Sequence, residues 1–400
     1  MAPKPVLVGA ALYDFFPIEG AREAVRRARE VYRLYGAEDK VGLAVSPHTH
    51  GFSSELREAV VNWMRLHLQG ETTVYRTAEP DILPETDPSC TPEGQVLAAY
   101  PECRTVFDLN VERLQQQGRP NPSPDPTVLR HTLSEVLGIA GEDRDYPIDP
   151  RVVLDELIEG YRTEHVFFFS APDIVVTGVM IHPRGAGPVQ QTDMVLLEDG
   201  TTGIPSERAR LEGMLRRGHR LFVFDPRGLG AVQTRDINSR GRWEFYGTEY
   251  KLACDAMLLG VSTLGLRAFD VLRGLDYLRT REDCAGRPIG LYGLGFGGLL
   301  AYLAAALDGG VDFVTVEDML YSYWNLAHAR YYSAQMHGMW NVAWGMLRHL
   351  DLVHLLPCIA PAVLSLVNPR DAQGSVVGAE RLHREFLDVA RRGGYLAEGW

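Results

Sequence analysis

The stretch RPIGLYGLGFGGLLAYLAAALD, Arg287 to Asp308, constrains the fold of this 400-residue chain more than any other. A short apolar run, PIGLYG, enters a cluster of glycines and passes straight into an alanine- and leucine-rich segment. A short apolar run bounded by glycine reads as a buried strand. The longer run reads as a helix buried on most of its faces. Glycine in the turn accepts backbone angles closed to other residues and allows close strand–helix approach. Such a strand–turn–helix belongs in a layered α/β domain with helices packed on a sheet. The centre of the turn is Gly295, which has no side chain to react with anything.

The same alternation continues on both sides. DIVVTGVMIHP, DMVLLED, HRLFVFDPRGLG, VDFVTVED and PAVLSLVNPRD read as strands, with SERARLEGMLRRG and LRAFDVLRGLDYLRTRE as helices between them. An aromatic-rich insertion, about 319–355, precedes the last strand. Residues 1–70 read as strand, helix, strand, helix. The first helix carries Ala21, Val25, Ala28, Val31, Tyr32 and Leu34 as an apolar face, and the second has a serine cap and a glycine stop. Residues 71–149 are rich in proline and polar residues and read as a connector wrapping over a surface, with a short strand and a helix inside it. The expected organisation is therefore a block over 1–70, a connector over 71–149 and an α/β domain over 150–400. The sheet is expected to be doubly wound and mostly parallel, with ligands at the carboxyl ends of its strands.

Bulk properties narrow the function. The net charge is −12, from 40 basic and 52 acidic residues, which argues against a nucleic-acid partner. No apolar run has the length of a membrane span, and the N-terminal stretch lacks the pattern of a secretory signal. The five cysteines, Cys90, Cys103, Cys254, Cys284 and Cys358, form no CxxC pair, so neither a metal site nor a disulfide framework is expected. A cytoplasmic protein is the expectation.

The two ends of the chain resemble each other. APKPVLVGAALYDFFPIEGAREAVRRAREVYRLYGAED matches APAVLSLVNPRDAQGSVVGAERLHREFLDVARRGGYLAEG, with Asp14 aligned to Asp371 and Gly20 near Gly378. Both read as strand, aspartate turn, helix, and duplication is the favoured reading.

These residues together resemble the α/β-hydrolase superfamily, in particular acetyl xylan esterase-like and prolyl-oligopeptidase-like hydrolases. GLYGLGFGG stands where the family has its G-x-S-x-G nucleophile elbow, and VFDPRGLG is similar to an upstream strand and turn. LVNPRD resembles the strand that ends in the triad acid, and SPHTHGFSSELREAVVNWMRLHL resembles the histidine loop and final helix. The order differs from the family, because an acid and a histidine precede the elbow. The chain looks like the tail of one tandem copy followed by a second, degenerate copy.

The resemblance implies a carboxylic ester hydrolase of small or activated esters. Asp14 would orient His50, with His48 as the nearby alternative, and His50 would activate water in place of the missing serine at Gly295. The amide of Phe296, with a second near Glu198 or Asp199, would stabilise the oxyanion. Asp371 is the alternative acid. Tyr321 and Trp324 in the insertion are candidate substrate-wall residues, with a packed helical core as the competing reading. Ser322 and Ser333 stand in no elbow and are poor nucleophiles, His383 reads as surface, and Asp225 and Arg227 read as structural. Gly293, Gly295 and Gly298 also fit a dinucleotide fingerprint, with Glu317 and Asp318 nearby, but the context argues against a cofactor. A catalytically inactive hydrolase-fold binding or assembly module is the competing function. A homo-oligomer that exchanges the N-terminal block is a further expectation.

Overall fold

The computed structural model describes residues 1–78, 81–84, 89–185, 187–237, 239–334 and 336–392. The chain divides into two compact units, Met1–Cys103 and Arg104–Trp400.

In the first unit, β1 (Val6–Tyr13), α1 (Ile18–Arg33), β2 (Val41–Thr49) and α2 (Ser54–Met64) follow one another. β1 and β2 pair in parallel, from Val6 opposite Val41 to Tyr13 opposite Thr49. A parallel pair needs a crossover, and α1 provides it. Val25 and Tyr32 of α1 pack with Ala37 and Val41 in a small core. The Tyr32 hydroxyl donates to the Lys4 carbonyl at 2.7 Å. Two residues expected on that face, Val31 and Leu34, lie 51% and 85% exposed, so the buried stripe is narrower than the sequence spacing implied. Ser53 caps α2 by accepting from the Leu56 amide, and Gly70 ends the following π turn in the left-handed region. A short helix, α3 (Val96–Ala99), occupies part of the stretch where a strand was expected.

The second unit opens with α4 (Val106–Gln117) and α5 (Pro126–Leu137). Leu129, Leu133 and Leu137 repeat every four residues on α5 and are buried in the main core. This part of the proline-rich stretch is therefore core rather than surface wrapping. The strands are β3 (Arg151–Ile158), β4 (Tyr161–Ala171), β5 (Ile174–Ile181), β6 (Gln191–Leu196), β7 (His219–Asp225), β8 (Ile289–Leu294), β9 (Phe313–Glu317) and β10 (Val363–Val367). They form one eight-stranded sheet in the order β10-β9-β8-β6-β7-β5-β4-β3. The block from β10 to β7 is parallel, and β5, β4 and β3 add in antiparallel fashion.

The remaining helices are α6 (Arg208–Arg216), α7 (Thr248–Leu258), α8 (Thr263–Thr280), α9 (Phe296–Asp308), α10 (Tyr323–Ala327), α11 (Leu356–Ile359) and α12 (Ala379–Arg392). α5, α8 and α9 contribute to the larger core on one face of the sheet, and α6 covers the other. Each leucine buried on α9 contributes about 1.5–3 kcal/mol, which fixes this helix on β8. Trp340, Met346, Leu350 and Leu352 of the aromatic insertion join the same core. Among the described residues, no single helix is long and apolar enough to cross a membrane.

Candidate active site

In the first unit, Asp14 follows β1 and His50 follows β2. Parallel pairing brings the two strand ends side by side. His50 Nδ1 lies 3.1 Å from Asp14 Oδ1 and 3.0 Å from Oδ2. Both carboxylate oxygens face the same ring nitrogen, so Nδ1 carries the proton and Nε2 is left as the basic atom. Asp14 Oδ1 also accepts the Phe16 amide at 3.1 Å, which fixes the carboxylate. The Phe15 ring lies 4.5 Å from the imidazole, centre to centre. The Asp14 side chain is 13% exposed and that of His50 60%. Partial desolvation pushes the Asp14 carboxyl up, but the Phe16 amide and the imidazole outweigh it and hold it below its ordinary value.

His48 has a different partner. Its Nε2 lies 3.2 Å from Glu55 Oε1. The amide of Glu55, Ser53 and His48 together pull the Glu55 carboxyl down to about 2. The loop thus holds two imidazoles with two separate carboxylates, and the one on Asp14 sits at the strand ends.

In the second unit, β8 turns into α9 through Gly295, at φ 57° and ψ −119°. Neighbouring glycines are required by packing. A Cβ on Gly293 would lie 2.3 Å from the Gly297 carbonyl oxygen, and one on Gly297 would lie 2.0 Å from the Leu196 carbonyl oxygen. The turn therefore has the sharp strand-to-helix form of an elbow, with a bare backbone at its centre. Glu198, on the loop after β6, fills the space above it. A Cβ on Gly295 would lie 2.0 Å from Glu198 Oε1. The Phe296 amide, expected to face an oxyanion, donates to that same oxygen at 3.4 Å. Glu198 therefore enters the elbow through its side chain, where a role for the backbone near it was expected. Desolvation pushes its carboxyl up, the Phe296 amide opposes this, and the Asp199, Asp318 and Glu207 charges add to the rise. The position of Glu198 at a strand end was legible in the sequence; the direction of its side chain was not.

The other predicted residues have defined places. The Asp371 carboxylate accepts the amides of Gln373 and Ser375, so it caps its own turn. Tyr321 is buried, and its hydroxyl accepts from Arg381 at 2.7 Å and donates to Glu385 at 3.4 Å. Desolvation pushes its phenol up to about 12. Trp324 is half-buried, with Arg119 5.3 Å from its ring centre. Asp199 is exposed, and its carbonyl accepts from the Thr202 hydroxyl. Ser322 donates to Asp351 at 2.6 Å and caps α10. Arg227 is bidentate on Asp270, and Asp225 is buried under the amides of Thr201 and Ala231. Glu317 accepts from Tyr292 and Arg210. Among the described residues, no group of three or more His, Cys, Asp or Glu is placed to hold a metal ion. A cavity of about 760 Å³ opens between β4, β5 and α6, lined by Tyr161, Phe167, Val179, Ile181 and Leu215 and, from the loop after β6, by Thr201 and Thr202.

No protein-family model matches the chain. A curated protein of Bacillus subtilis (strain 168), the putative hydrolase YtaP, is 26% identical over 173 residues, which is 43% of this chain and 53% of that protein. The chain thus spans about half the length of the curated relative it matches. The crystal structure of a putative acetyl xylan esterase from Bacteroides fragilis NCTC 9343 superposes with a TM-score of 0.57 at 15% identity, covering 73% of this chain and 81% of that one. An acetyl xylan esterase from Paenibacillus sp. R4 gives a TM-score of 0.43 at 17% identity, covering 72% and 99%. The likeness to the first structure is one of fold. The chain has an α/β fold with a mostly parallel, doubly wound sheet of the α/β-hydrolase type.

Proposed function

We propose that the protein hydrolyses carboxylic esters with small or activated groups, using water rather than a side-chain hydroxyl as the nucleophile. The single observation that carries this reading is the Asp14–His50 pair. A carboxylate on Nδ1 fixes the tautomer, leaves Nε2 basic and supports the imidazolium that forms. His50 takes a proton from water as the water oxygen bonds to the acyl carbon. The tetrahedral intermediate then expels the alkoxide, which takes the proton back. The hydrolase name of the B. subtilis relative and the esterase name of the B. fragilis protein support the choice of reaction class. Esters with good leaving groups suit a centre that lacks a covalent nucleophile, because their expulsion needs little assistance. The test is p-nitrophenyl acetate turnover by the purified protein and by His50→Ala. Turnover at background, or an unchanged rate in the variant, overturns the reading.

A second reading, a non-catalytic binding module, is favoured by the bare elbow at Gly295. Thermal stabilisation by an ester that is never hydrolysed supports it. Gly295→Ser with Glu198→Ala places a hydroxyl at the turn and removes the carboxylate it would meet; no gain in p-nitrophenyl acetate turnover favours the binding reading.

The likeness of the two chain ends adds a structural proposal. β1 with Asp14 and α1, and β10 with Asp371 and α12, are read as copies of one strand–aspartate–helix element.

A further inference from the structure

Glu198 occupies the one place in the second unit where a hydrolase elbow carries its reactive group. Its Oε1 lies 2.0 Å from where a Cβ on Gly295 would stand, and Cδ lies 2.7 Å from it. A side chain at position 295 and the Glu198 carboxylate cannot both be present without movement. The carboxylate comes from the loop after β6, the strand that lies between β7 and β8 and so next to the one that leads into the turn.

We propose that Glu198 is a catalytic residue, a general base that activates water at the elbow, and that the second unit therefore has a hydrolytic centre of its own. The proposal rests on the reaction class proposed above, ester hydrolysis, and does not use the Asp14–His50 pair. In its resting position, Oε1 accepts the Phe296 amide over 3.4 Å, a long contact. Glu198 leaves this long contact when the ester binds, and the freed amide then donates to the oxyanion that forms as water attacks. The released carboxylate takes a proton from water while the water oxygen bonds to the acyl carbon. The carbon–oxygen bond to the alcohol then breaks, and the proton passes from Glu198 to the leaving alkoxide. Ester and water give acid and alcohol, and Glu198 ends as it began.

The surroundings suit this role. Although Glu198 is exposed as a residue, partial desolvation of its carboxylate against the turn and the neighbouring charges of Asp199, Asp318 and Glu207 raise it above its ordinary value, which strengthens it as a base. Arg210 faces the region from α6 but is held by Glu207 and Glu317. Arg370, from the turn after β10, is held by Asp318. The aromatic rings of Trp243 and Phe296, with centres 6.1 Å apart, pack beside the turn and keep the start of α9 in place.

The test is carried out on the full chain. p-Nitrophenyl acetate turnover is followed against pH for the parent protein, His50→Ala, Glu198→Gln and the double variant. The expected result is residual turnover in His50→Ala that falls about a hundredfold further when Glu198→Gln is added. The acid limb of its pH profile, with a midpoint above the ordinary glutamate value, disappears at the same time. Equal rates and profiles for His50→Ala and the double variant overturn the proposal and leave the His50 reading standing. Loss of turnover in Glu198→Gln with none in His50→Ala supports Glu198 and overturns the role of His50. An inactive parent protein overturns both. A readout independent of activity is the Phe296 amide proton resonance, which is expected to follow the Glu198 titration. A Phe296 resonance that does not change between the parent and Glu198→Gln also counts against the proposal.

Discussion

The two units offer different kinds of candidate site. The first has a histidine held by an aspartate at adjacent strand ends. The second has a sharp strand-to-helix turn centred on Gly295, with the Glu198 carboxylate lying against the first helical amide. In the first, a side-chain contact defines the arrangement, and it is partly exposed. In the second, backbone sets the geometry and tolerates almost no added atom. The contrast separates the two requirements of such a site. Orienting an imidazole takes two loops and a two-stranded parallel pair. Building an elbow takes a full sheet, a buried helix and glycines at fixed positions.

The sharpest way to break this contrast is His50→Ala, with a rate loss of about 10²–10⁴-fold on p-nitrophenyl acetate and an unchanged melting temperature. A large loss of stability instead would make the pair structural. Next comes Gly293→Ala in the second unit, expected to cost about 3 kcal/mol in urea unfolding because the new Cβ meets the Gly297 carbonyl. A neutral result would show that the elbow has room to relax.

A smaller effect concerns acid stability. Glu164 accepts from His182 at 2.7 Å and Arg281 at 2.9 Å, and its side chain is 4% exposed. The His182 bond, opposed by desolvation and helped by Arg281, lowers its carboxyl from 4.5 to about 2. A depressed carboxylate stabilises the fold above its unfolded value and loses that contribution as pH falls from about 4.5 towards about 2. After solvent screening the contribution is about 1–2 kcal/mol. Glu164→Gln should therefore lower stability at pH 7 and flatten its fall in acid, as read by melting temperature against pH. The smallest effect is expected from His48→Ala, which removes only the Glu55 contact at the surface and should change turnover by less than about twofold. A larger loss would move the base from His50 to His48.

Much of this was legible in the sequence because the signals are local. Period and punctuation revealed β1, α1, β2, α2, β8 and α9, and the strand-end positions of Asp14 and His50. What escaped was set by tertiary contacts. The apolar stripe of α1 appeared broad, yet Val31 and Leu34 have no partner surface to bury against within the small core of that unit. α5 was hidden by its proline-rich flanks, although Leu129, Leu133 and Leu137 carry helical spacing and face the main core. The hairpin of β3 and β4 was missed because charged residues interrupt it, with Arg162 against Asp155 and Arg281 against Glu164 accounting for those charges. The Glu198 carboxylate could not be read at all, since nothing local says that a strand-loop side chain will lie across a turn 97 residues further along (295 − 198).

The backbone angle at Gly295 has a consequence for durability. At φ 57° a residue with a Cβ carries roughly 1–3 kcal/mol of strain, whereas glycine carries none. Enzymes that keep a reactive side chain in such a turn trade resilience for reactivity. This turn keeps the shape without the tension, so the junction of β8 and α9 should be among the last parts of the second unit to open on heating.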